Sequence, residues 1–475
     1  MPAGSASLPS SPSFTLPLSP LCPGPGPGLA RLVLVSDWAA NFADAAYARV
    51  HNSRGTCPPD VWARGRWVPR GPPMTSAALN GTGMRTSADA YAMLGLQGCA
   101  SSREVYWHLG ADSESRYDRF PGVASWRWEP PTGCTAEEAS GEELVRHLVE
   151  HGGWLLIGDS VTENHFFSLS CMLYPHVRAT PDYTLGGFDR AWPQNLYLNS
   201  SSPILPSLKL PKDFDIENTP LVTFRRVDLL LMPSKLDALY RQIHPTSKYL
   251  HNKTTLFSDE PLWNLSPEEY VGMLTTPRPA GGYSTLIVST GGHWTTHLFE
   301  ALKDASLFND GIFTVIDFFR DAMRVWADEV QTLLDRDTPR ADGGQPHLAP
   351  GGRPAHAGSR PKSAHQVLVR AYLSGHDGCH NAGSPVQRFT KEMVVSFNWP
   401  QIGDMNRAFA DILREGQYPD IHYLGIDGAA LLRPDSHVAS DCLHFMTGAG
   451  VLEGWTQYIW HYVTVEIPEL VRSGR

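Results

Sequence analysis

Residues 154–165 read WLLIGDSVTENH. The run 154–157 is short, continuous and apolar, the pattern of a strand buried on both faces. Gly158 carries no Cβ and lets the chain turn sharply. Helical spacing begins at once, over 162–173. A strand that turns directly into a helix puts Ser160 at a helix N-terminus. Backbone N–H groups there lack intrahelical acceptors, and the helix dipole favours negative charge. Two roles fit. Ser160 is a nucleophile whose developing oxyanion meets those amides, or it caps the helix, as Ser and Asp commonly do at such junctions. The local sequence leaves both open.

Outward from this point the pattern alternates. Helical spacing covers 142–150, with Leu144, Leu148 and Val149 apolar, and 295–305 and 404–414. It also covers 311–334, where Ile316, Phe319, Met323, Trp326, Val330 and Leu333 share one side. Strands are expected at 228–232, 284–289, 367–373 and 422–426. Such alternation over 140–470 predicts an α/β domain, a three-layer α/β/α sandwich around a mostly parallel sheet. The Gly/Pro-rich stretch 337–365 has almost nothing to bury and reads as a disordered insertion in a surface loop. Residues 50–135 are rich in Gly, Pro, Trp and Cys, an irregular lobe held by cross-links. Residues 1–45 read as a disordered tail that begins with a Pro/Ser/Gly tract. No internal repeat is evident.

Composition narrows the function classes. The chain has 475 residues, 42% of them apolar, enough for a sizeable core. With 39 basic and 49 acidic residues the formal charge is -10. There is no basic stripe, so a nucleic-acid partner is set aside. No apolar run approaches the ~20 residues of a spanning helix, and no targeting signal is visible. Asn80, Asn199, Asn252 and Asn264 lie in Asn-x-Ser/Thr sequons. Of the seven cysteines, Cys22 lies in the tail. The other six, Cys57, Cys99, Cys134, Cys171, Cys379 and Cys442, are either three disulfides or reduced thiols.

Near the C-terminus stands D441-C-L-H444. Asp and His three apart can meet on a helical turn or tight loop. A carboxylate so placed fixes the tautomer of an imidazole and stabilises the imidazolium formed when it takes a serine proton. The chain order Ser, Asp, His is that of α/β acyl-transfer enzymes. Two metal readings compete. His293 and His297 have the i, i+4 spacing of a zinc-binding helix, but Trp294 stands where a metalloprotease carries its glutamate. His376, Cys379 and His380 could also hold a metal. His437 reads as an ordinary loop histidine, and Trp455, Tyr458 and Trp460 as core packing.

The run IGDSVTENHFFSLSCML resembles the nucleophile block of the trichome-birefringence-like polysaccharide O-acetyltransferases and the wider PC-esterase group, within the GDSL/SGNH superfamily. DCLHF resembles their C-terminal Asp-x-x-His block. CPPDVWARGRWVPR, WRWEPPTGC, STGGHWTTH and VRAYLSGHDGCH resemble further blocks, in order, over roughly residues 55 to 465. The resemblance implies an SGNH-like fold with Ser160 as nucleophile, His444 as general base and acid, and Asp441 as its orienter. It implies disulfides Cys57–Cys134, Cys99–Cys171 and Cys379–Cys442. Gly158, Asp159, Asn164, Gly291 and Gly292 become candidates for the oxyanion neighbourhood, and His293, Trp294, Arg370 and His376 for the cleft. No metal is implied. The sequence departs from plant members at Glu163, usually Arg, and at Phe445 and Met446, usually Trp and often Cys.

The resemblance further implies double displacement: an acyl group, acetyl by preference, passes to Ser160 and then to an acceptor. A sugar hydroxyl as acceptor makes the protein a polysaccharide O-acetyltransferase. Water makes it a carbohydrate esterase. A third reading is a non-catalytic glycan-binding protein. No bound cofactor is implied; the acyl donor, acetyl-CoA or another, enters as co-substrate. The expected partner is a glycan, and the expected place is the secretory pathway, the Golgi lumen by resemblance.

Overall fold

The computed structural model describes residues 57–71, 86–103, 120–187, 192–247, 255–337, 363–414, 418–438 and 441–472. The expected tail, Cys22, the sequons at Asn80 and Asn252, and 338–362 of the expected insertion lie outside the described residues.

Among these residues β1 (Arg66–Pro69) and β2 (Trp126–Glu129) pair antiparallel as a ribbon. Seven further strands form one sheet: β3 (Gly153–Gly158), β4 (Val177–Thr180), β5 (Gln194–Leu198), β6 (Pro220–Arg226), β7 (Tyr283–Ser289), β8 (Gln366–Arg370) and β9 (Ile421–Leu424). Their spatial order is β4-β5-β6-β3-β7-β8-β9. β6, β3, β7, β8 and β9 run parallel, and β5 and β4 add an antiparallel edge. The fold is therefore mixed α/β with a mostly parallel central sheet.

β3 is buried at every position, which is why it reads as a continuous apolar run. It lies between β6 and β7, with Gly158 in register with Arg226 on one side and Ser289 on the other. The chain departs from β3 towards one edge of the sheet and later returns to build the other. This makes the carboxyl end of β3 a topological switch point, where open α/β sheets form a crevice.

The principal helices are α1 (Gly141–His151), α2 (Ser160–Met172), α3 (Ile312–Asp337), α4 (Ile402–Arg414) and α5 (Val451–His461). α1 starts with a capping box between Ser140 and Glu143. α2 is buried from Val161 to Cys171, its polar side chains included. Those side chains are bonded: Glu163 accepts from Gln194, His165 meets Thr456 and Ser168 donates to Glu453. Trp455 and Tyr458 are fully buried and Trp460 packs on the same core, as their spacing suggested.

Some expectations fail for identifiable reasons. Residues 228–232 are not a strand; the strand is Pro220–Arg226, and the apolar run after it is a buried turn with Leu230 at φ +63°. An apolar run looks alike in a strand and in a packed turn. The expected helix 295–305 is a series of turns with one 3-10 turn, Glu300–Leu302. Thr295 Oγ1 accepts from the Leu298 amide, a local bond that competes with helix formation. The edge strands β4 and β5 escaped notice because the inward face of β5 begins with Gln194, not an apolar residue. Asp337 still belongs to α3, so the helix reaches into the expected insertion.

Cysteines 57 and 134, 99 and 171, and 379 and 442 are bonded in pairs. The second pair ties residues 99–103 to α2, and the Ala100 amide donates to the Ser170 carbonyl, so this stretch belongs with the sheet rather than with the ribbon. No helix among the described residues is long and apolar enough to cross a membrane.

Candidate active site

Ser160 is the first residue of α2, directly beyond β3. Asp159 caps the helix, its Oδ1 accepting from the Val161 amide at 3.0 Å. Ser160 is thereby released from capping. Gly158 admits no side chain, since a Cβ there would collide with Thr162 Oγ1 and lie 2.8 Å from the Ser289 carbonyl.

The second half of the site is a closed loop after β9. His437 and Phe445 form an antiparallel bridge, and the Val438 amide donates to the His444 carbonyl at 3.0 Å. Within it Asp441 Oδ1 accepts from the Leu443 amide at 2.5 Å and the His444 amide at 3.0 Å. Asp441 Oδ2 lies 2.6 Å from His444 Nδ1, and His444 Nε2 lies 2.8 Å from Ser160 Oγ. Burial alone pushes the Asp441 carboxyl up, but the His444 bond and charge and the two amides outweigh it and hold it well below the usual carboxylate range. An ionised Asp441 keeps the proton on Nδ1, leaving the Nε2 lone pair to accept the serine proton.

Three braces hold this loop. Cys442 is bonded to Cys379 between Asp441 and His444. Asn164 Oδ1, from α2, accepts the Phe445 amide at 2.9 Å. His437, stacked on Phe445 at 4.4 Å, contacts the His444 carbonyl at 3.1 Å and His376 Nδ1 at 2.7 Å. Thus Asn164 Oδ1 fixes the segment that carries His444. His437 is no ordinary loop histidine; it is fully buried and contacts the His444 carbonyl. His376 lies one ring further back, its Nε2 against the Leu431 carbonyl at 2.9 Å, not on the cleft.

The remaining candidates divide. Arg370 is buried beneath the start of α2, 3.3 Å from Thr162 Oγ1 and with its guanidinium 4.0 Å above the Trp455 ring. Burial pushes it down to about 10, with the charges of Asp159, Tyr372 and Asp427 opposing, so it remains a cation at neutral pH. A Cβ at Gly292 would collide with the Tyr372 hydroxyl and lie 3.2 Å from Asp159 Oδ2, so the turn at Gly292 runs beside the residue that caps α2. The Gly291 carbonyl accepts from Asn398. His293 lies 3.6 Å from Asp228 and 3.8 Å from Glu260. Burial raises the Asp228 carboxyl, with His293 and Arg226 opposing. Trp294 is fully buried, stacked on Phe299 and donating to Thr290, so it serves the core and not the cleft.

Glu163 is buried and accepts from Gln194. The zinc-helix spacing of His293 and His297 loses its basis, because they lie on turns. At the other metal candidate both sulfurs are bonded to each other, with His380 Nε2 3.6 Å from Cys442 Sγ. Sequence reading missed Tyr372 and Asn398. Tyr372 was hidden inside a strand expected to run to 373, whereas β8 ends at Arg370. Asn398, which donates to the Gly291 and Trp294 carbonyls, has no sequence signal. No family model matches this chain, and no curated protein matches it.

Proposed function

We propose that this protein is a Ser-His-Asp acyltransferase that moves an acetyl group from a donor to a hydroxyl of a glycan. The observation that carries the reading is the unbroken line from Ser160 Oγ through the His444 ring to Asp441. It is assembled from two distant parts of the chain, Ser160 standing directly beyond the carboxyl end of β3 in the mostly parallel sheet. A surface His–Asp pair has no reason to meet a helix-start serine 284 residues away.

In the first step His444 Nε2 takes the Ser160 proton as Oγ attacks the acyl carbonyl. The oxyanion forms beside the Ser160 amide at the positive end of α2. Collapse expels the donor's leaving group, which takes the proton from His444, and leaves an ester on Ser160. In the second step His444 deprotonates the acceptor hydroxyl, which attacks that ester and frees the serine. Resemblance supports acetyl as the acyl group, a glycan as acceptor, the SGNH-like three-layer architecture with its Cys/Trp-rich lobe, and residence in the Golgi lumen. The three disulfides are in keeping with an oxidising compartment.

The test is mass spectrometry of an oligosaccharide panel incubated with an acetyl donor and either wild type or Ser160→Ala. Acetylated sugar formed only by wild type supports transfer. Acetate released without sugar gain makes the protein an esterase. Failure of both, with no labelling of Ser160 by a fluorophosphonate probe, overturns the reading in favour of a binding protein.

A further inference from the structure

Phe397 is held in a conformation that its own packing does not explain. Its φ is +53°, the left-handed region that is unfavourable for an aromatic residue. Yet the ring is 78% exposed, and Val395 beside it is 66% exposed. Strain of this kind persists only when the surroundings enforce it, and it gathers at sites that bind.

The surroundings here do enforce it. On one side Asp377 accepts from the Val395 and Ser396 amides and from the Ser396 hydroxyl. On the other, buried Asn398 donates to the Gly291 carbonyl at 2.8 Å and the Trp294 carbonyl at 3.1 Å. Trp399 follows, its carbonyl accepting from Ser374 at 3.0 Å, two residues before the His376 amide that donates to the Cys442 carbonyl at 2.9 Å. Residues 395–399 are therefore fastened both to the glycine turn beside Asp159 and to the loop that carries His444. The rest of this loop is anchored, and Phe397 projects from it.

We infer that Phe397 is a stacking platform at the rim of the site, receiving the apolar face of a sugar ring of the acceptor. This rests on the acyltransfer reading above and names the side from which the acceptor enters. Two observations favour a neutral polyol over an anionic donor. The turn 291–297 that Asn398 grips carries His293 and His297, which lie 3.8 Å and 3.9 Å from the partly exposed Glu260 carboxylate. That carboxylate suits sugar hydroxyls and repels phosphate. Arg226, buried, is already engaged by Asp228 at 3.0 Å and lies over Trp263 at 4.6 Å, so it offers no cation to a phosphate. A sugar presents both faces this rim requires: C–H groups for the ring and hydroxyls for the carboxylate.

The test needs no turnover. Oligosaccharide binding is measured on Ser160→Ala protein by the fluorescence of Trp399, whose ring is 5.2 Å from Phe397, and by calorimetry. Adding Phe397→Gly should weaken binding by about ten-fold while raising the thermal midpoint, because glycine relieves the backbone. Phe397→Trp should keep the binding. A purely structural Phe397, shielding Trp399, gives the reverse: a lower midpoint and unchanged affinity. That result, or affinity lost for an acetyl-CoA donor instead of the sugar, or no oligosaccharide bound by the parent protein, overturns the inference. Fluorophosphonate labelling of Ser160 in the Phe397→Gly chain is expected to match wild type. Loss of labelling in wild type itself would count against the acyltransfer reading and leave the binding result to stand separately.

Discussion

At the scale of single residues, the site depends on where protons sit. Asp441→Asn keeps an oxygen for the Leu443 and His444 amides but turns an N–H towards His444 Nδ1. The imidazole must then carry its proton on Nε2, facing Ser160 with a donor where an acceptor is needed. Turnover should fall by about 10³–10⁴-fold with KM little changed; a loss below about ten-fold would show that Asp441 does not set the tautomer. A second residue-scale effect lies in His165. It is fully buried on Thr456, and burial, with the Arg370 charge, holds it well below its usual value of 6.5. Its folded value is depressed, so its contribution to stability is present above pH 6.5 and is lost as pH falls through the folded value. His165→Gln should flatten that decline, which thermal midpoints of both proteins at about pH 7.5 and pH 5.5 would reveal. Equal slopes would place the acid sensitivity elsewhere. Ser160, Asp441 and His444 were legible because their chemistry restricts residue type and order. Asn398 and Phe397 were not, because an amide gripping two carbonyls and a phenylalanine at positive φ leave no periodic mark.

At the scale of elements, the strand–turn–helix unit from β3 to α2 carries both fold and chemistry. It was the most legible part of the chain, since a strand buried on both faces must be apolar throughout. The edge strands and the turn after β6 were harder. There a polar inward residue or a packed turn imitates the wrong element. The same unit makes a mechanical prediction. Gly158 is close to Thr162, the residue that Arg370 contacts, and 2.8 Å would separate any Cβ from the Ser289 carbonyl. Gly158→Ala must push the first turn of α2 away from β7. It should cost about 1–3 kcal/mol in stability and reduce turnover more than KM, because Ser160 rides on that turn. Urea unfolding and steady-state kinetics together decide. A stable variant with full turnover would mean that the turn yields without moving the serine.

At the scale of the whole molecule, a buried guanidinium joins the ribbon of β1 and β2 to the segment that leads to His444. Arg433 is fully buried and bonds Asp435 through Nε at 2.9 Å and Nη2 at 3.1 Å. It also donates to the Val123 carbonyl just before β2 and to the Ala449 carbonyl at the start of α5, and lies 4.5 Å above the Trp67 ring. Asp435 precedes His437 and the loop of His444 by two residues. A buried pair of this kind contributes little over an apolar substitute, but losing one member strands the other charge. Arg433→Met should therefore cost about 3–5 kcal/mol, and Arg433→Lys should not rescue it, because an ammonium cannot span the carboxylate and two carbonyls in a plane. Combining Arg433→Met with Asp435→Leu should recover much of the stability. If the ribbon is only a scaffold, the double variant recovers turnover as well. If it positions the loop, stability returns while turnover stays low, because the polar tie from Val123 and Ala449 to Asp435 is then gone and only apolar packing and the Trp67–Ala429 bond remain. Unfolding and turnover measured on wild type, Arg433→Met, Asp435→Leu and the double variant separate the two, and additive single effects would dismiss the coupling altogether.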